Sequence, residues 1–149
     1  GRAVLVDFGV ARLIGQGIRL AATGMAAGTV DYLAPEQAHG HRIDHRADIF
    51  ALGVVFYEML TGEPPFGGAT AQAIVGRILT ADPTPPTQAR RSIPANVEAA
   101  VLTALEKTPA DRFRTMAEFE KALAGATLPL LARIPMGKAR AAAASGRQI

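Results

Sequence analysis

One segment of the sequence, Asp44 to Leu60, predicts a helix that is apolar on every side. Asp44 is a good N-cap residue and Gly62 follows the last apolar position, so the helix has a clear start and stop. The apolar residues go all the way round the helical wheel, and they are Ile49, Phe50, Leu52, Val54, Val55, Phe56, Met59 and Leu60. A helix of this kind is buried, with other elements packed around it. We therefore expect a helical body with this segment at its centre.

Shorter elements surround this helix in the sequence. Ala3–Val6 is an apolar run typical of a strand, and residues 12–31 have no clear period, which indicates a long loop. The pattern predicts one helical turn at Pro35–His39 and a Pro-rich loop at Asp82–Pro86. Three further helices are expected at Ala69–Leu79, Ala95–Glu106 and Thr115–Ala124, the last opened by a Thr-Met-Ala-Glu capping box. The predicted class is mainly α, with one short strand at the front and about four helices.

The composition excludes several classes of protein. The 149 residues contain no cysteine, which rules out a disulfide scaffold, a thiolate metal site and a cysteine nucleophile. Apolar residues make up 49% and charged residues 19%, an ordinary balance for one globular domain or a piece of a larger one. No apolar stretch reaches the ~20 residues that a bilayer requires. We therefore expect no transmembrane segment in this chain.

The formal net charge of +3 is unevenly distributed along the chain. Residues 1–120 contain 11 Lys and Arg against 13 Asp and Glu, so this part is near neutral and gives no sign of a nucleic-acid-binding surface. Residues 121–149 contain 5 Lys and Arg and no acidic residue. We predict that residues 127–149, a basic tail rich in Ala and Arg, are solvated and disordered. Attraction to a membrane surface is the alternative.

Two tripeptides enclose the loop that precedes the helical body. Asp7–Gly9 (DFG) follows the predicted strand, and Ala34–Glu36 (APE) begins 27 residues after Asp7. Together they resemble the boundaries of the activation segment of protein kinases. The stretch between them ends in GTVDYLAPEQ, which is similar to the substrate-docking stretch of bacterial serine/threonine kinases of the eukaryotic (Hanks) type.

The resemblance continues through the helical body. Asp44–Phe66 looks like the central buried helix of these kinases and the turn after it, and Lys107–Phe113 looks like the loop between their last two helices. It covers about residues 3–124, in the order of the family. It implies a partial protein kinase domain at residues 1–126: a fragment of the C-terminal lobe from just before the Asp-Phe-Gly motif onward, with an α+β parent fold.

The resemblance implies a nucleotide site that includes Asp7, Phe8 and Gly9. Asp7 resembles the carboxylate that holds Mg²⁺ against the β- and γ-phosphates of ATP, a role that suits the preference of Mg²⁺ for oxygen ligands. Phe8 resembles the apolar side chain whose packing separates active from inactive states. The expected cofactors of the intact kinase are therefore ATP and Mg²⁺.

Three residues of the loop take further roles by the same resemblance. Thr29 resembles the residue near the catalytic base in serine/threonine kinases; an ordinary turn hydroxyl is the alternative. Thr23 is the only other Ser or Thr between Asp7 and Glu36, which makes it the candidate for activating phosphorylation. Arg12 lies where the family often has a basic residue that binds this phosphate. Otherwise, Thr23 and Arg12 are simply solvated.

Five residues of the helical body take structural roles by the resemblance. Glu36 and Arg112 form, in the family, an ion pair that ties the activation segment to the base of the lobe. Asp48, inside the apolar helix, corresponds to a carboxylate that accepts backbone hydrogen bonds from the catalytic loop. Val55 and Met59 resemble the floor beneath the adenine-stacking column; plain core is the alternative, and their role is packing in both cases.

Several elements of a kinase are not among these 149 residues. In the family the Gly-rich loop, the strand lysine, its glutamate partner and the catalytic loop all precede the Asp-Phe-Gly motif, and six residues precede it here. A positioned general base contributes about 10²–10⁴-fold to a rate. An electrostatic clamp contributes on the order of 10²–10³-fold. We therefore expect no kinase activity and no tight ATP binding from this chain by itself.

The favoured function is part of an ATP-dependent serine/threonine protein kinase, a transferase. Its expected partners are a protein substrate and the missing N-terminal part of the kinase. The alternative is a non-catalytic truncated lobe that acts as a protein-interaction module. A cytoplasmic location is expected, and a membrane anchor elsewhere in the intact protein is left open. His39, His41 and His45 show no ligand pattern, so they predict no metal site.

Overall fold

The computed structural model describes residues 30–125 of the chain. Within this range the regular elements are helices: α1 (Pro35–His39), α2 (Arg46–Thr61), α3 (Ala71–Thr80), α4 (Pro86–Ala89), α5 (Ala95–Ala104), a 3₁₀ turn (Pro109–Asp111) and α6 (Met116–Ala124). The mainly α class is therefore confirmed for these residues. The predicted strand at Ala3–Val6 and the predicted tail at residues 127–149 lie outside the described residues.

The longest helix, α2, lies between two apolar clusters. Phe50 and Val54 belong to the larger cluster, together with Ile78 of α3. Ile49 belongs to the smaller cluster, where Phe119 of α6 is also fully buried. Because α2 contributes to both clusters, apolar residues are needed on more than one of its sides. The predicted central helix is therefore buried on most of its sides.

The N-cap of α2 lies one residue later than the sequence predicts. The carboxylate of Asp44 accepts a hydrogen bond from the backbone N–H of Arg46 at 2.8 Å and pairs with its guanidinium at 2.6 Å. This pairing holds the pKa of Asp44 down at about 2. Asp44 thus closes a turn before the helix, and His45 occupies the N-cap position. The predicted stop is confirmed, since Gly62 has a φ of 89° and donates its N–H to the helix.

The short helix α4 was not expected, because its first residue lies in the predicted Pro-rich loop. Pro86 is its first residue, a position where a helix does not need a backbone N–H donor. The residues just before α4 and within it are hydrogen-bonded to longer helices. The hydroxyl of Tyr57 donates to the carbonyl oxygen of Thr84 at 2.8 Å, and the N–H of Thr87 donates to the carboxylate of Glu98 at 2.7 Å. These tertiary contacts, rather than local propensity, position the segment.

The capping box at the start of α6 forms only in part. The hydroxyl of Thr115 accepts the N–H of Glu118 at 3.2 Å, as the sequence predicts. The carboxylate of Glu118, however, accepts the N–H of Arg114 at 2.8 Å instead of that of Thr115. The carbonyl of Arg114 is in turn bonded to the imidazole of His45 at 2.6 Å, which ties this loop to the start of α2.

Helices α2 and α5 approach each other closely at Gly53. A Cβ atom added to Gly53 would lie 2.9 Å from the Cβ of Ala104 and 3.3 Å from a methyl group of Leu105. Both neighbours are buried, so neither has room to move away. The absence of a side chain at Gly53 is therefore what permits this helix crossing.

We expect Gly53→Ala to lower the free energy of unfolding by about 1–3 kcal/mol, because overpacking outweighs the gain in helix propensity. Gly76→Ala in α3 is the matched control, since a Cβ at that position meets no atom within 4 Å. This control should raise the free energy of unfolding by about 0.5–1 kcal/mol. Urea unfolding of both variants measures the difference, and equal effects would contradict the proposed close approach.

Candidate functional site

The site begins with Glu36 in the short helix α1. Pro35 occupies the first turn, and the side-chain oxygen of Gln37 accepts the N–H of Ala34 at 2.8 Å. Gly40, with a φ of 69°, ends the helix in the left-handed region that favours glycine. Glu36 is thus held in a single turn of helix whose two ends are both capped, and it is buried.

Glu36 and Arg112 form a bidentate ion pair inside the protein. The two nitrogen–oxygen distances are 2.8 Å for Nη1 to Oε1 and 2.7 Å for Nη2 to Oε2. The exposed fraction is 0% for the side chain of Arg112 and 5% for that of Glu36. Two parallel charge-assisted hydrogen bonds fix the relative orientation of both side chains. The structure therefore brings these two sequence-predicted residues together across 76 positions of the chain.

Arg112 also donates to three backbone carbonyl oxygens. Its Nε donates to Glu106 at 2.8 Å, Nη1 to Arg46 at 2.9 Å and Nη2 to Lys107 at 3.2 Å. With the two bonds to Glu36, all five N–H groups of the guanidinium have acceptors. This complete set satisfies the buried cation and joins α1, the start of α2 and the loop after α5.

The pair has a positioning role and no role as an acid or base in this arrangement. Both carboxylate oxygens of Glu36 already accept hydrogen bonds from Arg112, and a guanidinium keeps its proton at ordinary pH. The guanidinium also lies 5.0 Å from the ring centroid of Phe50, against the apolar core. The ion pair thus attaches α1, at the end of the segment between DFG and APE, to the helical body.

A second attachment of this segment, through Tyr32, was not foreseen from the sequence. The hydroxyl of Tyr32 donates to the carboxylate of Glu58 on α2 at 3.0 Å. Burial, followed by the bond to Glu58, raises the pKa of Tyr32 above its ordinary value. Burial and the charge of Glu58 also raise the pKa of Asp31. The signal in the sequence was the tyrosine within GTVDYLAPE, whose partner only the tertiary structure reveals.

Val55 and Met59 are exposed among the residues that the structure describes, and their proposed packing role beneath the adenine-stacking column remains a prediction. Their exposed fractions are 37% and 44%, and Asp48, two turns earlier on the same helix, is also exposed. Asp48, Val55 and Met59 recur at the helical spacing of seven and four residues, so they share one face of α2. No other described element covers them, and an exposed carboxylate needs no protein partner. We call these three residues the open face of α2.

The remaining predicted site residues lie outside the described residues. They are Asp7, Phe8, Gly9, Arg12, Thr23 and Thr29. Within residues 30–125 no group of three or more His, Cys, Asp or Glu side chains is placed to hold a metal ion. In the same range no helix is both long enough and apolar enough to cross a membrane. Residues 30–125 therefore contain two parts of the candidate site: the Glu36–Arg112 ion pair that attaches α1 to the helical body, and the open face of α2.

Removing either partner of the buried ion pair should be strongly destabilising. We expect Glu36→Ala and Arg112→Met each to lower the free energy of unfolding by about 3–5 kcal/mol, because each leaves a buried group unpaired. The double variant should lose clearly less than the sum, since no unpaired charge remains. Arg46→Gln, which removes the exposed pair with Asp44, is the control and should leave stability unchanged within error. If the two single losses of unfolding free energy, measured by urea unfolding, add up to the loss in the double variant, the ion pair is not the source of the destabilisation.

Comparison with known proteins identifies the family. The model of the family described as protein kinase domain matches residues 1–123. The serine/threonine-protein kinase PknB of Mycobacterium leprae is 43% identical over 114 residues, which are 76% of this chain and 18% of that protein. A probable serine/threonine-protein kinase of Corynebacterium efficiens is 39% identical over 144 residues, 93% of this chain and 21% of that protein. The chain thus spans about a fifth of the length of these curated relatives.

A solved structure supports the same fold. The twitchin kinase region from C. elegans is similar with a TM-score of 0.62, over 70% of this chain and 19% of that chain. At 24% sequence identity this likeness concerns the fold alone. The kinase-like fold expected from the motifs is therefore confirmed. The chain belongs to the protein kinase family, and within it to the bacterial serine/threonine kinases of the Hanks type.

Proposed function

We propose that this chain is part of an ATP-dependent serine/threonine protein kinase that transfers the γ-phosphoryl group of ATP to Ser and Thr hydroxyls of proteins. The observation that carries the proposal is the buried Glu36–Arg112 pair, which ties down the end of the segment that DFG and APE enclose. Phosphoryl transfer depends mainly on positioning and on electrostatic stabilisation of charge. A rigid attachment of the substrate-docking segment serves the first of these needs.

The nucleotide end of the site is assigned to Asp7, Phe8 and Gly9. A carboxylate oxygen is a ligand that Mg²⁺ accepts readily, so the chemistry of Asp7 fits this metal. When bound, Mg²⁺ offsets negative charge on the β- and γ-phosphates. By the family resemblance, Phe8 is assigned as the apolar side chain whose packing separates active from inactive states, and Gly9 completes the motif. These roles are part of the proposal.

The chain by itself is proposed to be inactive. Its 149 residues do not include a Gly-rich loop, the Lys/Glu pair or the catalytic loop with its general base. Loss of the general base alone removes about 10²–10⁴-fold in rate. The open face of α2 is the surface on which the rest of the kinase domain would pack, because it exposes apolar Val55 and Met59 beside the carboxylate of Asp48.

The same open face favours a second candidate function. An exposed apolar stripe on an otherwise buried helix is a suitable surface for binding another protein. A non-catalytic lobe that binds a partner there is therefore the alternative to a working kinase. Activity of the full gene product distinguishes the two, because only the first requires Asp7. A cytoplasmic location is proposed in either case.

We expect the full gene product to phosphorylate Ser or Thr of a generic protein substrate with Mg²⁺ and ATP. Asp7→Asn should lower kcat at least about 100-fold, because it removes a charge that acts on the transferring phosphate. Asp44→Asn, an exposed carboxylate in the same domain, is the control and should retain activity. No activity in the full gene product would favour the interaction module. Transfer by the 149 residues alone, lost on Asp7→Asn, would contradict their inactivity.

We also propose that phosphorylation of Thr23 activates the kinase through Arg12. A phosphate adds about −1.5 to −2 charges and orders a loop when an arginine pairs with it. Thr23→Ala and Arg12→Gln should each reduce activity of the full gene product several-fold, and the double variant should be no worse than either single variant. Thr70→Ala, which alters the exposed N-cap of α3, controls for loss of a threonine elsewhere. Wild-type activity in Thr23→Ala, measured with phosphopeptide mapping, would exclude this site.

A further inference from the structure

The turn between α4 and α5 exposes Ser92, the only serine among residues 30–125. The N–H of Ile93 donates to the carbonyl oxygen of Arg90 at 3.2 Å and closes this turn. Ile93 is buried, whereas Arg91 and Ser92 are exposed. Because Ser92 belongs to neither helix, another protein can reach its hydroxyl without opening a helix. We call residues 90–92 the Arg-Arg-Ser turn.

An arginine is already bonded to this hydroxyl. Nε of Arg90 donates to Oγ of Ser92 at 3.1 Å. Neither Arg90 nor Arg91 forms an ion pair with an acidic side chain of residues 30–125. A phosphate on Ser92 adds about −1.5 to −2 charges beside these guanidinium groups, and hydrogen bonds between arginine and phosphate are charge-assisted and strong. The turn is therefore suited to hold a phosphoserine.

A similar sequence pattern at Thr115 has a different structure. Arg112 and Arg114 precede Thr115, much as two arginines precede Ser92. The hydroxyl of Thr115, however, accepts the N–H of Glu118 at 3.2 Å and caps α6. Arg112 is buried, and all of its N–H groups already have acceptors. The sequence thus offers two candidate hydroxyls, and the structure favours Ser92.

The stretch that resembles a substrate-docking segment carries the opposite charge. Asp31 lies in this stretch, and Tyr32 next to it donates to the carboxylate of Glu58 at 3.0 Å. Burial, and then the charge of Glu58, raise the pKa of Asp31, as expected when two carboxylates lie near each other. Arginines of a bound substrate relieve this repulsion. The charges of the Arg-Arg-Ser turn therefore complement those of the stretch.

We propose that Ser92 is an autophosphorylation site, recognised through Arg90 and Arg91 and modified by a second copy of the full gene product. This inference rests on the proposed kinase function. The hydroxyl oxygen attacks the γ-phosphorus of ATP, and a bond between Oγ and phosphorus forms. The bond from this phosphorus to the oxygen that bridges it to the β-phosphorus breaks, ADP leaves, and the hydroxyl proton is released to solvent. The new phosphate pairs with Arg90.

The reaction takes place between two copies, because the turn and the docking stretch are each held on the helical body. The bond from Thr87 to Glu98 ties the chain before the turn to α5. The pair of Glu36 with Arg112 ties down the end of the docking stretch. Within residues 30–125 no ion pair joins the two arginines of the turn to the acids of the stretch, so the two do not meet in one molecule.

The test uses the full gene product with Asp7→Asn as the acceptor and a small amount of wild-type protein as the enzyme, with Mg²⁺ and ATP. Mass spectrometry follows the phosphate on each hydroxyl of the acceptor. We expect Ser92 to be modified about tenfold faster than Thr115, because the hydroxyl of Thr115 must first give up its helix cap. Faster modification of Thr115 would overturn the proposal.

Variants of the acceptor test the recognition. Changing Arg90 and Arg91 together to Gln should slow modification of Ser92 about fivefold, because two exposed charge contacts are lost. Arg42→Gln removes an exposed arginine elsewhere and should leave the rate unchanged. Equal rates for all three acceptors would overturn the proposal.

A change in the enzyme tests the same contact from the other side. Glu58→Gln should slow modification of the acceptor that keeps both arginines more than that of the acceptor that lacks them. Phosphate on Ser92 of the wild-type enzyme, but never of the acceptor, would overturn transfer between copies. Activity on a generic protein substrate is measured alongside. An enzyme that is active there but leaves Ser92 unmodified overturns this inference alone, whereas inactivity on both contradicts the kinase function itself.

Discussion

Arg112 holds together three parts of the chain that are distant in sequence. Its five N–H groups reach the carboxylate of Glu36, the carbonyl of Arg46 at the start of α2, and the carbonyls of Glu106 and Lys107 after α5. A buried guanidinium is tolerated only when its charge is balanced and its donors are satisfied. Because the acceptors belong to different segments, the positions of α1, α2 and the loop after α5 depend on one another.

Two cations lie against the stacked rings of Phe50 and Phe66, and their surroundings differ. Arg112, 5.0 Å from Phe50, has an acceptor for every donor and a carboxylate partner. Lys107, 3.8 Å from Phe66, has a ring face and no acceptor within residues 30–125. Hydrogen bonding separates the two cases more than burial does. It is why Arg112 has a positioning role.

The family was predictable because its signals are local in sequence. DFG, APE and the Lys107–Phe113 loop are short motifs, and the match of the family model to residues 1–123 bears out the family that they indicated. The bond from Tyr32 to Glu58 and the orientation of Lys107 were not predictable, since each joins residues whose proximity no local pattern encodes. The exposure of Val55 has a related reason: an apolar residue on a central helix is buried only if another element covers it.

The sequence by itself determined the helical periodicity, most caps and stops, and the membership of the kinase family. Gly62 and Thr115, for example, act at helix ends through backbone groups within four residues, so tertiary contacts were not needed to identify them. Only the tertiary structure decided which apolar faces are covered and which charged groups are paired. The reason is physical: solvation and pairing depend on the distances between segments, and packing sets these distances, as at the crossing of Gly53 and Ala104.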